Sequence, residues 1–322
     1  MKAVEKVILS LFLPIHMTIY ERDIFLMSQA PSEDIIMSVL TALIQAILQV
    51  LCTIFPISQT AHSSMFHDFS NRFASGQSNL TGFVHIGIAV GIFVAMYRLF
   101  IRLIGEFFMG FSDLKSKKIR ENSKKPAREF LYFAILSFLP LLFWLIPCGE
   151  KGTLYNVLAL TQVNKTLLDD GVFIALLGGL LIAANINITR EKNDRAIWVV
   201  PAISSGVLCV FSATVSGLSL IGVTLCVLLL FGVRTKQALN FTFVLSFPVF
   251  LVTGIVEAVT NEVKADALSV IVGLVVSGAL SFLAVKVFRI LTIKKQLKYF
   301  GIYDISFGVI AVVIGIFQLI LR

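Results

Sequence analysis

Hydrophobic residues fall along this chain in long blocks, six of them unbroken and two punctuated by polar residues. The unbroken runs, residues 83–103, 130–146, 172–188, 241–259, 267–288 and 305–321, show no alternation of apolar with charged positions. Such runs are apolar on every face, as a helix surrounded by lipid must be, and their lengths lie at or just below the ~20 residues that span a bilayer. They predict six transmembrane helices. A punctuated run precedes each trio. The first starts at Ile35 and closes on QVLCTIFPISQTAH, residues 49–62, where Pro56 is followed by hydroxyls, an amide and an imidazole. The second, residues 196–233, has no charged side chain, yet Pro201, Ser204, Ser205, Ser212, Thr214, Ser216, Gly217, Ser219, Gly222 and Thr224 interrupt it. Inside a bilayer a broken helix is stable only where its freed backbone groups meet protein or line a wet cavity. Each punctuated run therefore reads as a re-entrant hairpin whose polar tip contributes to a site at mid-membrane. For the first, a helix that simply ends at the interface is the competing reading.

The charges fix the parity. Nine Lys and Arg lie between residues 97 and 130, which makes that loop cytoplasmic, whereas residues 147–171 carry only Lys151 and Lys165. Arg190, Lys192 and Arg195 then fall inside, as do Arg234 and Lys236 and the basic turn from Arg289 to Lys298. An odd number of crossings between 196 and 233 would put that last turn outside, so the second hairpin enters and leaves on the cytoplasmic face and the first dips in from the other side. The expected fold is an all-α polytopic membrane protein of two inverted repeats, residues 35–190 and 196–322, each a re-entrant helical hairpin followed by three transmembrane helices.

Composition agrees. Mean hydropathy is +0.91, with 57% hydrophobic and 14% charged residues, well away from a soluble domain. The net charge of +8 resides in short loops and reads as a topology signal, so no nucleic-acid partner is expected. Cys52, Cys148, Cys209 and Cys226 have no metal-ligand spacing and read as small buried hydrophobes. Residues 1–34 hold an apolar stretch too short to span, which fits a signal anchor, an interfacial helix, or upstream sequence left out if translation starts at Met27 rather than Met1.

At the punctuated runs the chain resembles the undecaprenyl-diphosphatase (bacitracin-resistance) family. The family's E-G-x-T-E-F-x-P-[IV]-S-S-T-G-H run meets residues 49–62, its H-L-G meets His85-Ile86-Gly87, and its P-G-x-S-R-S-G-A-T meets residues 216–224. Residues 228–233 and 241–248 follow its L-L-x-G and F-S-F-L-L-x-x-P patterns, and Ile302-Tyr303 resembles a later landmark. The resemblance implies a multi-pass protein of the bacterial inner membrane that removes the terminal phosphate from undecaprenyl diphosphate, recycling the carrier lipid of cell-wall synthesis with a divalent cation, Mg or Ca. It assigns Ser58, Thr60 and His62 to catalysis, and Ser219, Gly217, Gln49 and Gln59 to the substrate phosphates. It also exposes departures: Gln49 and Thr53 stand at the motif glutamates, Gln59 at a serine, and Leu220 at the arginine.

A carboxylate pair one helical turn apart can hold a hard cation, and an arginine fork grips phosphate; neither is available from Gln49, Thr53 and Leu220. His62 remains as an acid or base beside Ser58, or as a histidine that merely hydrogen-bonds at a hairpin end. His85 reads as an interfacial or structural histidine, Glu257 as solvated at a helix end, and Ser219 as either a phosphate donor or a cap for a broken helix. Three functions fit: a diverged diphosphatase of a polyprenyl carrier, a non-catalytic protein that binds or transports a polyprenyl (di)phosphate, and a structural membrane partner.

Overall fold

The computed structural model describes residues 39–70, 79–115, 126–142, 167–260 and 265–320. All elements within them are helical: α1 (Val39–Ile54), α2 (Gln59–Ser70), α3 (Leu80–Ala95), α4 (Tyr97–Lys115), α5 (Pro126–Leu142), α6 (Leu167–Thr189), α7 (Val199–Thr214), α8 (Leu220–Leu230), α9 (Thr235–Thr260), α10 (Ala267–Ile293) and α11 (Leu297–Ile320). The N-terminal extension and Cys148 lie outside the described residues. Among the described residues four helices, α6, α9, α10 and α11, are long and apolar enough to cross a membrane, and the bent pair α3–α4 makes a fifth if taken as one span.

The run at 83–103 is not one straight span. It turns by 85° at Met96, separating α3 from α4. The charges explain the turn: Arg98 and Arg102 follow at once, and a helix carrying them is costly in hydrocarbon but stable along its surface. Accordingly α4 is two-faced, burying Phe100, Leu103 and Glu106 while exposing Ile101, Ile104 and Phe108. Its buried Glu106 and its Asp113 receive Arg128 of α5, at 3.1 and 2.5 Å, which holds the turned helix against its neighbour.

Close packing elsewhere depends on small residues. Helices α6 and α11 meet along a glycine stripe, where a Cβ at Gly178 would lie 2.6 Å from the Gly301 carbonyl and one at Gly308 would lie 2.6 Å from that of Gly171. Without side chains the two backbones touch, the usual solution where lipid supplies no hydrophobic drive between helices. Helix α3 packs against both α9 and α10, α1 lies on α10, and α7 lies on α5. Short α7 folds back on α8. The ends of that segment are joined, since Arg195 N–H donates to the Gly232 carbonyl (3.1 Å) and Arg234 N–H to the Arg195 carbonyl (2.9 Å). The chain thus leaves the segment where it entered. Cys52, Cys209 and Cys226 are free and buried, as expected.

Candidate functional site

Pro56 ends α1 and cannot donate a backbone hydrogen bond, so the chain turns before α2. Ser58 completes the turn with φ +53, a left-handed conformation that costs a non-glycine residue on the order of 1–3 kcal/mol. In the second segment Gly217 has φ +87, which glycine adopts without that cost. These two turns meet. The Gly217 N–H donates to Thr60 Oγ1 at 2.9 Å, Thr60 Oγ1 lies 3.2 Å from Ser58 Oγ, and a Cβ on Gly222 would sit 2.9 Å from the Pro56 ring. The first turns of α2 and α8 therefore face one spot, and helix N-termini favour negative charge.

The residues expected to form a site separate into three groups. Ser58, Thr60 and Gly217 form the junction itself. Ser58 Oγ also accepts from Ala61 N–H at 3.3 Å. Ser219 caps α8 instead, its hydroxyl accepting the Gly222 N–H at 3.2 Å. His62 is held on both nitrogens: Nδ1 donates to the Ser58 carbonyl (2.8 Å), which leaves Nε2 to accept from the Tyr303 hydroxyl (2.7 Å). Its ring also stacks on Phe307 at 4.1 Å. His62 thus contacts the carbonyl of Ser58 and not its hydroxyl.

The third group surrounds Gln59. Its Oε1 accepts from Thr53 Oγ1 at 2.7 Å and faces His85 Nε2 at 3.4 Å, while His85 Nδ1 donates to Glu257 Oε2 at 2.6 Å. Glu257 and His85 are accordingly partners, not a solvated acid and a separate interfacial histidine. Gln49 is buried one turn before Thr53, with neither amide atom hydrogen-bonded. Asp304, next to Tyr303, is fully buried with both carboxylate oxygens unpartnered. Tyr303, Glu257 and Asp304 were not among the expected site residues. A signal existed for the two acids, since an ionisable residue within a membrane span is a functional candidate by default.

The donor set does not suit a divalent cation. Mg and Ca take carboxylate-rich oxygen shells, and among the described residues no group of three or more His, Cys, Asp and Glu side chains is placed to hold a metal. The junction offers instead neutral hydroxyls, amides and helix N-termini, beside one imidazole–carboxylate pair. Such a set can hydrogen-bond an oxyanion.

Comparison with known proteins identifies the family. Residues 42–310 match the family model described as Bacitracin resistance protein BacA. An undecaprenyl-diphosphatase of Buchnera aphidicola is 25% identical over 269 residues, covering 81% of this chain and 92% of the relative. The undecaprenyl-diphosphatase of Thermosipho africanus is 25% identical over 277 residues, 85% of this chain and 99% of the relative. Undecaprenyl-diphosphatase 1 of Bacillus cereus reaches 30% identity over 174 residues, 52% of this chain and 63% of the relative. With matched residues that include both turns, the His85–Glu257 pair and Tyr303, this membrane protein belongs to the bacitracin resistance protein BacA family.

Proposed function

We propose that this protein binds the phosphate end of a polyprenyl (di)phosphate carrier lipid of the undecaprenyl type at the junction of its two polar turns, in the cytoplasmic membrane, and that it hydrolyses the diphosphate slowly compared with relatives bearing the motif acids and arginine. The observation that carries the reading is the Thr60–Gly217 hydrogen bond, which brings the turns that precede α2 and α8 together. Half-helix N-termini aimed at an anionic group are the recurrent way such folds hold a charged substrate near the midplane. An inverted-repeat arrangement with two re-entrant hairpins accounts for this convergence. Its support is the reciprocal packing of α1 on α10 and α7 on α5, with α3 against α9 and α6 against α11 as the self-paired elements.

Slow hydrolysis is expected from the groups missing at the junction. Phosphoryl transfer is catalysed by cations and donors placed around the transferring oxygens, and removal of one such donor costs on the order of 10²–10³ in rate. Leu220 supplies no donor, and Gln49 and Thr53 supply no anionic cation ligands. The test is binding of undecaprenyl phosphate, and phosphate release from undecaprenyl diphosphate, by the purified protein in detergent. The native protein should bind the lipid and release phosphate slowly; a Gln49→Glu/Thr53→Glu/Leu220→Arg variant given Mg should release it faster. No lipid binding by the native protein would refute the reading.

A further inference from the structure

The geometry points to His85, in the H-L-G run, as a source of positive charge in place of the motif arginine, whose position Leu220 takes. His85 projects from the second turn of α3 and Glu257 from the last turn of α9. The two helices touch there through backbone: a Cβ on Gly82 would lie 2.3 Å from the Ala258 nitrogen, and one on Gly254 would lie 2.8 Å from the Gly82 carbonyl. The pair is therefore held by main chain and not by flexible contacts. Phe250 stacks along the ring at 6.0 Å.

The hydrogen bond to Glu257 places one proton on the ring. Glu257 as a carboxylate only accepts, so His85 Nδ1 carries a proton. Nε2 faces the Gln59 side-chain amide at 3.4 Å, the direction in which a second proton on the ring would be presented. An imidazole with both nitrogens protonated is a cation. Its negative partner is about one-quarter exposed, whereas the ring itself is buried and directed at Gln59, the neighbour of Thr60. Glu257 is the titratable group facing the ring from α9; α2 presents Gln59 to it, and α10 presents Ser277 and Ser281 to α3 at Gly87 and Gly91.

We propose that His85, kept as an imidazolium by Glu257, is the phosphate-binding cation of this pocket, the anion replacing the loose 3.4 Å contact to Gln59. This rests on the reading above that the pocket takes a phosphate, and adds to it the charge and a pH dependence. The bound group is a phosphate or diphosphate anion, free or on a lipid.

The experiment measures binding of undecaprenyl phosphate and, separately, of inorganic pyrophosphate to the full-length protein in detergent, from about pH 5 to 8, across which histidine changes charge. Native affinity should fall as pH rises. His85→Gln should weaken binding about tenfold or more, the effect of losing one charge-assisted hydrogen bond, and should flatten the profile. Glu257→Gln should move the midpoint to lower pH, and His85→Arg should bind with a flat profile. Binding by the native protein that is independent of pH and unchanged in His85→Gln overturns this inference while leaving the lipid-binding function intact. Pyrophosphate binding that depends on His85, without lipid binding, supports the cation and removes the lipid. Binding of neither ligand overturns both. If the variants fail to fold, ¹⁵N spectra of histidine-labelled native protein decide the point, and a singly protonated His85 at neutral pH overturns the proposal.

Discussion

Two neighbouring glycines in α6 allow the packing of the membrane core to be measured against an internal control. At Gly178 a new Cβ would lie 2.6 Å from the Gly301 carbonyl oxygen and 2.9 Å from both the backbone nitrogen and Cγ1 of Ile305. At Gly179 nothing lies within 4 Å. Replacing either by alanine raises helix propensity by about 1 kcal/mol, so that gain cancels between the two variants. The remaining difference is packing. Carbon contacts are optimal near 3.5–4.0 Å, so alanine at 178 must part the α6 and α11 backbones by roughly 1 Å, and overpacking of this kind costs about 1–3 kcal/mol. Gly179→Ala should therefore be more stable than native by about 1 kcal/mol. Gly178→Ala should lie about 1–3 kcal/mol below Gly179→Ala. Thermal unfolding in detergent, followed by the reactivity of buried Cys209 and Cys226 toward a thiol probe, reads both. Equal stabilities, or Gly178→Ala the more stable, would refute the backbone-contact account of the α6–α11 interface.

Thr60→Val keeps the shape of the side chain but removes the acceptor for the Gly217 N–H, so it should cost about 1 kcal/mol and weaken lipid-phosphate binding; unchanged binding would detach the junction from the site. Asp304→Leu replaces a buried, unpartnered carboxyl by hydrocarbon and should raise the unfolding midpoint, by on the order of 1–3 kcal/mol in stability, whereas a loss would mean that the carboxyl is satisfied within the fold. Asp266 caps α10 by accepting from Ser269, and that hydrogen bond holds its carboxyl below the usual range. Its contribution is complete above the ordinary Asp value of about 3.9 and is lost as pH falls through the lower folded value. Asp266→Ala should remove that part of the acid sensitivity in an unfolding-against-pH series, and an unchanged acid limb would count against it.

Much of the architecture was legible because lipid imposes a simple rule on sequence. Residues 172–188, 241–259, 267–288 and 305–321 coincide with the four long helices, and Pro56 and the Ser216–Ser219 turn mark the two breaks. The bend at Met96 was less visible, since the apolar count continues through Phe100 and Ile101 and only Arg98 and Arg102 betray the change of environment. In the site, proximity along the chain exposed Ser58, Thr60 and His62. The partners that determine how these residues act come from far away: Tyr303 is 241 residues from His62, and Glu257 is 172 residues from His85. A single sequence has no signal for such pairings. It shows that Glu257 sits near a helix end, but not that the end abuts α3.

The hydrogen-bonded closure between Arg195 and residues 232–234 separates two kinds of change in this chain. Because the α7–α8 segment returns to its starting point, the place from which α9 sets out is fixed at the base of the segment and is independent of the residues at its tip. Substitutions at the tip change local chemistry without touching the hydrogen bonds that hold the base closed. Leu220, in the first turn of α8, is such a tip position, and a side chain exchanged there leaves the start of α9 where it is.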